Sequence, residues 1–177
     1  MRALIQLVVF SLLTASFANA DNLQNIEWGA DPLEVMRQSE SEPFSIDKEK
    51  NTGIINSVVY RDTSTAVDHV VLFKFENEEL VEVSEFYDAD TTKSEYFVDL
   101  FEEYSSRLSE RYGAYDFSET YKNIPIENWS ARLQAGNFSS RRGWFKQEIS
   151  ESLLNLSTRK VGSISLVITV SDVENTN

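Results

Sequence analysis

Hydrophobic positions along the chain follow two periods, one typical of strands and one typical of a helix. Residues 92–112 place apolar side chains at steps of three and four, which predicts a long helix ending at Gly113. Thr92 and Glu95 form a capping-box pattern at its start. We interpret this stripe as core; the alternative interpretation is a cofactor-binding surface. Alternating or nearly continuous apolar runs predict strands at residues 54–60, 67–75, 80–87, 129–135, 141–149, 153–157 and 163–170, with a hairpin turn at residues 76–79.

A short helix is expected near the start of the fold. Asp31 suits the N-cap, Pro32 suits the first helical position, and Glu34 completes a capping-box pattern. Residues 38–50 are charged and contain a proline, which favours a loop. The order is then a short helix, three strands, a long helix and several strands. This order predicts an α+β domain whose antiparallel sheet packs against one long helix.

The first twenty residues have the three parts of a secretory signal. Arg2 precedes an apolar run over residues 3–13, and Ala18, Asn19 and Ala20 form a small-residue cleavage pattern. The run is short for a membrane anchor, which is the alternative. We therefore expect a cleaved signal peptide at residues 1–20, a single domain over residues 21–177 and no membrane span after cleavage.

Composition and charge narrow the choice of partners. Sixteen Lys and Arg stand against 29 Asp and Glu, a formal net charge of −13, which argues against nucleic acid and is compatible with a cationic partner. The chain has no cysteine, which excludes disulfides, thiolate metal sites and cysteine nucleophiles. Export without cysteine favours a bacterial periplasm, or secretion, over a eukaryotic secretory route.

Three short motifs mark the opening of the predicted domain and the end of its long helix: Ile26-Glu27-Trp28-Gly29, Asp31-Pro32-Leu33-Glu34-Val35 and Tyr112-Gly113. With these motifs, residues 26–113 resemble small exported bacterial proteins of unknown function. The opening also distantly resembles that of outer-membrane-assembly lipoproteins and β-lactamase-inhibitor-like domains. The resemblance implies an envelope compartment and an α+β fold; the lipid-bearing cysteine of the lipoproteins has no counterpart here.

Few residues in the sequence are candidates for catalysis or metal binding. His69, the single histidine, alternates with Val67, Val71 and Phe73, and could be a general base in a pocket or a hydrogen-bonded residue at the core margin. We favour the second interpretation, because no nucleophile or orienting partner can be identified. The acids at residues 76–90, including Asp88 and Asp90 beside Glu95, lack the spacing of a calcium loop and suit a solvated edge. We therefore predict no catalytic residue, no metal site and no cofactor.

A basic and aromatic segment at residues 141–146 is the remaining feature. On a strand, Arg142, Trp144 and Lys146 share one face and Phe145 points the other way. If Phe145 lies in the core, Trp144 is exposed between two cations and could anchor a partner. The more usual arrangement buries the tryptophan and lets the cations reach water. We carry Arg142, Trp144 and Lys146 forward as the candidate partner-binding residues.

These observations predict an exported, soluble, non-catalytic domain that binds another envelope or secreted protein, as an inhibitor, immunity or assembly factor. The alternative is a small-ligand-binding domain or enzyme with a pocket between the long helix and the sheet.

Overall fold

Eight antiparallel strands form one sheet in the computed structural model, which describes residues 27–39, 42–62, 66–146, 150–160 and 162–172. The predicted signal peptide lies outside these residues. The spatial order of the strands is β1-β2-β3-β4-β8-β7-β6-β5. Their bounds are Ser45–Lys48 (β1), Ile55–Asp62 (β2), Asp68–Glu76 (β3), Glu79–Asp90 (β4), Phe117–Thr120 (β5), Ser139–Lys146 (β6), Ser150–Lys160 (β7) and Ser163–Asp172 (β8).

Within the described residues, three α-helices accompany the sheet: Pro32–Gln38 (α1), Ser94–Tyr112 (α2) and Trp129–Gln134 (α3). The predicted N-cap of α1 is confirmed, because Pro32 is the first helical residue and Asp31 accepts a hydrogen bond from the backbone N–H of Glu34 at 2.9 Å. The side chain of Glu34 accepts a hydrogen bond from Gln38. Gly113 ends α2 as predicted, with φ at +84° and its N–H on the carbonyl of Ser109. The fold is therefore α+β, with an eight-stranded antiparallel sheet and one long helix.

The sheet consists of two meanders joined in the middle. Strands β1 to β4 follow one another in sequence, as do β5 to β8 apart from the α3 segment that precedes β6. The predicted turn between β3 and β4 is confirmed, with Asn77 and Glu78 in the left-handed conformation of a two-residue hairpin loop. Strand β4 pairs with β8 from Glu82↔Ser171 to Asp90↔Ser163. That single pairing connects the two halves.

Both hydrophobic clusters lie on one face of the sheet. The larger cluster packs Phe101 of α2 and Leu133 of α3 against Leu156 and Leu166 of β7 and β8. The smaller cluster packs Val35 of α1 against β2, β3 and β4. Most of these buried positions are two residues apart, as Ile164, Leu166 and Ile168 in β8 illustrate. Leu80 and Val83 of β4 are three apart, beside the register shift between β3 and β4. We call this side of the sheet the covered face.

Four local predictions are wrong. The strand predicted at residues 129–135 is instead the helix Trp129–Gln134, in which Trp129 and Leu133, four apart, bury one helical face. Strand β1 occupies part of the predicted loop at residues 38–50. Asp90, rather than Thr92, accepts the capping hydrogen bond before α2, from Thr92 N–H. The acid-rich hairpin is not an edge, because β4 pairs on both sides and Glu85 is buried.

Among the residues that the structure describes, no helix has the length and apolar character needed to cross a membrane.

Candidate binding face

The second face of the sheet carries the side chains that alternate with the buried ones, and we call it the open face. All three described helices place buried side chains in the clusters on the covered face. The cross-strand pairing aligns the residues of the open face in rows. One row runs Phe117, Gly143, Leu153, Thr169, Ser84, Leu72, Val59, and the next runs Glu119, Arg141, Asn155, Val167, Phe86, Val70, Arg61.

An apolar ledge occupies the β5–β7 end of the open face. Phe117 and Phe145 stack with ring centroids 5.7 Å apart and planes 12° apart. Phe145 is 40% exposed and Leu153 is 41% exposed, although both sit on paired strands. The ring of Phe117 covers Gly143, which opposes Leu153 across β6 and β7. We call Phe117, Phe145 and Leu153 the aromatic ledge; it presents large apolar side chains to solvent on a rigid support.

A polar concavity of about 460 Å³ lies beside the aromatic ledge. Strands β5, β6 and β7 supply Glu119, Arg141 and Asn155, which form one cross-strand row. The 3₁₀ turn Tyr121–Asn123 supplies its outer wall. The open face therefore places an apolar ledge and a polar hollow side by side.

Most cations of the open face are paired within the chain. Arg61 donates to both carboxylate oxygens of Asp68, with Nε 2.9 Å from Oδ1, and Arg141 donates to Glu119. Lys74 Nζ lies 3.2 Å from Glu76. Asp47 and Glu82, by contrast, enter no described ion pair; they accept hydrogen bonds from Asn56 and Ser84. Among the described side chains, the face thus keeps Asp47 and Glu82 outside any ion pair, while Arg61, Lys74 and Arg141 are paired with acids.

Strand β6 is oriented opposite to the hypothesis that placed the candidate partner-binding residues Arg142, Trp144 and Lys146 on an exposed face. Trp144 is fully buried on the covered face, where Nε1 donates to the carbonyl of Gly113 at 3.1 Å. Phe145, which the hypothesis placed in the core, is the exposed neighbour. The expected exposed Trp144 anchor is therefore wrong: α2 and the 113–115 segment cover that side of β6, and the indole fills the space beneath them. The side chain of Lys146 lies outside the described residues.

The side chain of Arg142 is largely buried and is not presented to a partner. Its guanidinium carbon lies 4.9 Å from the ring centre of Phe101 and 5.4 Å from that of Tyr115. Nη1 donates to Ser105 and Nη2 lies 2.9 Å from Glu102. Because α2 supplies three of these four contacts, Arg142 fastens the long helix to the sheet.

His69 belongs to a buried polar network on the covered face. Its Nε2 lies 3.0 Å from Glu85 Oε2, and the two side chains are 5% and 4% exposed. Tyr87 and Tyr104 donate to the same Glu85 oxygen at 2.7 and 3.1 Å. His69 also stacks on Tyr87, with ring centroids 4.0 Å apart. The interpretation of His69 as a hydrogen-bonded core-margin residue is confirmed, and sequence reasoning missed Glu85 as its partner.

Burial dominates the acid–base behaviour of this network. Desolvation raises the pKa of Tyr87 far above its usual range, and the negative charge of Glu85 adds to the effect. The pKa of Tyr104 is also raised well above normal, first by burial and then by Glu85. Both hydroxyls are therefore permanent donors at neutral pH. They stabilise a buried carboxylate and are poorly placed to exchange protons with a substrate.

No group of three or more potential metal ligands converges within the described part of the chain. Comparisons with protein-family models, curated protein sequences and solved structures find no match to this chain.

The aromatic ledge had a weak signal in the sequence. Phe117 and Phe145 lie 28 positions apart, and only the β5–β6 register brings their rings together. Gly143 was the available clue, since a glycine inside a strand marks a close approach by another group.

Proposed function

We propose that this chain is an exported, non-catalytic protein-binding domain of the bacterial envelope, and that its partner docks on the open face. One observation carries the proposal: Phe145 and Leu153 are about two-fifths exposed on the paired strands β6 and β7, next to the stacked ring of Phe117. Aromatic and aliphatic anchors on a rigid surface are typical of the energetic centre of a protein interface.

Charge defines the chemistry of that partner. The chain has a formal net charge of −13, and the described cations Arg61, Lys74 and Arg141 are already paired with acids. A partner that places an apolar protrusion on the aromatic ledge and Lys or Arg around it would meet both features. Such complementarity raises the association rate and makes it sensitive to salt.

The envelope assignment depends on the sequence pattern of residues 1–20 and on the resemblance of the opening motifs to small exported proteins. An inhibitor, immunity or assembly role fits a domain that presents one sheet face and fills the other with its own core. The alternative pocket between the long helix and the sheet receives less support. Phe97, Phe101, Leu154 and Leu166, which line that space, are each fully buried.

Affinity capture from a periplasmic extract tests the proposal when it compares matched variants. The wild-type domain should retain a partner that Phe145→Ala and Leu153→Ser lose. Leu33→Ser is the matched control, because Leu33 is also an exposed apolar residue but lies on α1. The purified partner should then bind the wild type less tightly as salt rises. A partner retained equally by all four proteins would contradict docking on the open face.

A further inference from the structure

We propose that the polar concavity beside the aromatic ledge binds a neutral saccharide. Its volume of about 460 Å³ lies within the range of small-molecule sites. This inference goes beyond the protein-binding proposal and does not depend on it. The residues lining this concavity are Glu119, Thr120, Tyr121, Lys122, Ser139, Arg141 and Asn155.

The lining contains both hydrogen-bond donors and acceptors. Asn155 offers an amide with both capacities and the hydroxyl of Ser139 can donate or accept, whereas the hydroxyl of Thr120 is already hydrogen-bonded to Ser140. Arg141 adds N–H donors and Glu119 adds acceptor lone pairs. A polyhydroxylated ligand, whose every hydroxyl donates and accepts, suits this mixture best.

The charges in the hollow disfavour simple ions. Arg141 donates to Glu119, so these two charges largely cancel while each group keeps free hydrogen-bonding capacity, and Lys122 leaves the lining with one net positive charge. A lone cation would meet Arg141 and Lys122, and a lone anion would lie beside the carboxylate of Glu119. An apolar ligand would leave all of these groups without partners, which is costly.

The outer wall supplies an aromatic ring. Tyr121 is 39% exposed and lies in a 3₁₀ turn in which Lys122 and Asn123 adopt left-handed backbone conformations, with φ of +54° and +50°. Lys122 Nζ lies 5.0 Å from the ring centre. A partly exposed ring at the rim of a polar hollow can pack against the C–H face of a sugar while the polar groups bind its hydroxyls.

Titration of the purified, isotope-labelled domain with chitotriose and with maltotriose tests the inference by amide chemical shifts. We expect saturable shifts with at least one trisaccharide, confined to residues 119–122, 139–141 and 155. Tyr121→Ala should abolish them and Asn155→Ala should weaken binding about tenfold. Tyr96→Ala is the matched control, because Tyr96 is 42% exposed but lies on α2.

Three outcomes would overturn the inference. The first is the absence of saturable shifts with both sugars, and the second is binding that Tyr121→Ala leaves unchanged. The third is saturable binding of free glycine with no response to either sugar, which would mean that the hollow recognises charge. The loss of protein-partner capture by Phe145→Ala leaves this test unaffected, because it uses only the purified domain and defined sugars.

Discussion

The ring of Phe117 lies against the α-carbon of Gly143, so that a methyl group built on Gly143 would come within 2.2 Å of Cε1. We predict that Gly143→Ala displaces the ring and destabilises the domain by about 1–3 kcal/mol, since an added methyl group in a packed site forces its neighbours to move. Urea denaturation measures the free energy of unfolding. The displaced ring would no longer stack on Phe145, so the amount of partner captured by the variant should also decrease.

The cause of that effect can be isolated by a double-mutant cycle. Phe117→Ala removes the obstructing ring, so Gly143→Ala should cost far less in that background than in the wild type. Equal costs in both backgrounds would show that the ring is not what excludes a side chain at position 143.

Replacing Arg142 should destabilise the domain much more than replacing the adjacent Arg141. Arg142→Ala removes a hydrogen bond to Ser105 and an ion pair to Glu102 from the packed side of α2, so we expect a loss of about 2 kcal/mol. Arg141→Ala, its exposed neighbour, should change the free energy of unfolding by less than about 0.5 kcal/mol. Thermal and urea unfolding of both variants provide the comparison. A larger loss for Arg141 would contradict the assignment of the two faces.

Replacement of His69 should destabilise the domain strongly. His69→Ala leaves the buried Glu85 carboxylate with only the hydroxyls of Tyr87 and Tyr104, and removing one partner of a buried pair typically costs about 3 kcal/mol. Combining it with Glu85→Gln should recover part of that loss. Partner capture should persist at temperatures where the variant is folded, because the network lies on the covered face. A loss below about 1 kcal/mol would refute the structural role.

At alkaline pH, the buried Tyr87 and Tyr104 should ionise at higher pH than the other tyrosines. Unfolded tyrosine has a pKa of about 10, whereas the pKa values of Tyr87 and Tyr104 are raised in the folded protein. Their contribution to stability is therefore complete below about pH 10 and is lost as pH rises further. Tyrosinate absorbance should appear in two stages, with these two residues ionising only on unfolding. In Tyr87→Phe the decline of stability above about pH 10 should be shallower; an unchanged slope would count against this assignment.

Periodicity predicted the strands that bury one face and the long helix, because those elements repeat one simple pattern over many residues. Periodicity could not predict which side chains of β6 face the core. Arg142 and Trp144 lie on one side of the strand and Phe145 on the other, so neither side is clearly the more apolar. The buried Glu85 was equally hidden. In the sequence it is one acid among several, and only the pairing of β3 with β4 and the position of Tyr104 show that it has partners. The helical segment at Trp129 was misjudged because six residues are too few to distinguish the two periods.

The pairing of β4 with β8, which joins the two meanders, also affects the order in which the sheet can fold. Phe86 and Val167 are direct neighbours in the sheet but 81 positions apart in the chain. Until β8 arrives, the inner edge of β4 is an unpaired strand edge, open to association with other chains. Contacts this distant form slowly, since a long loop must close before any of them contributes. We therefore expect the first meander to remain vulnerable to aggregation during synthesis and refolding, and its protection to depend on residues 163–172.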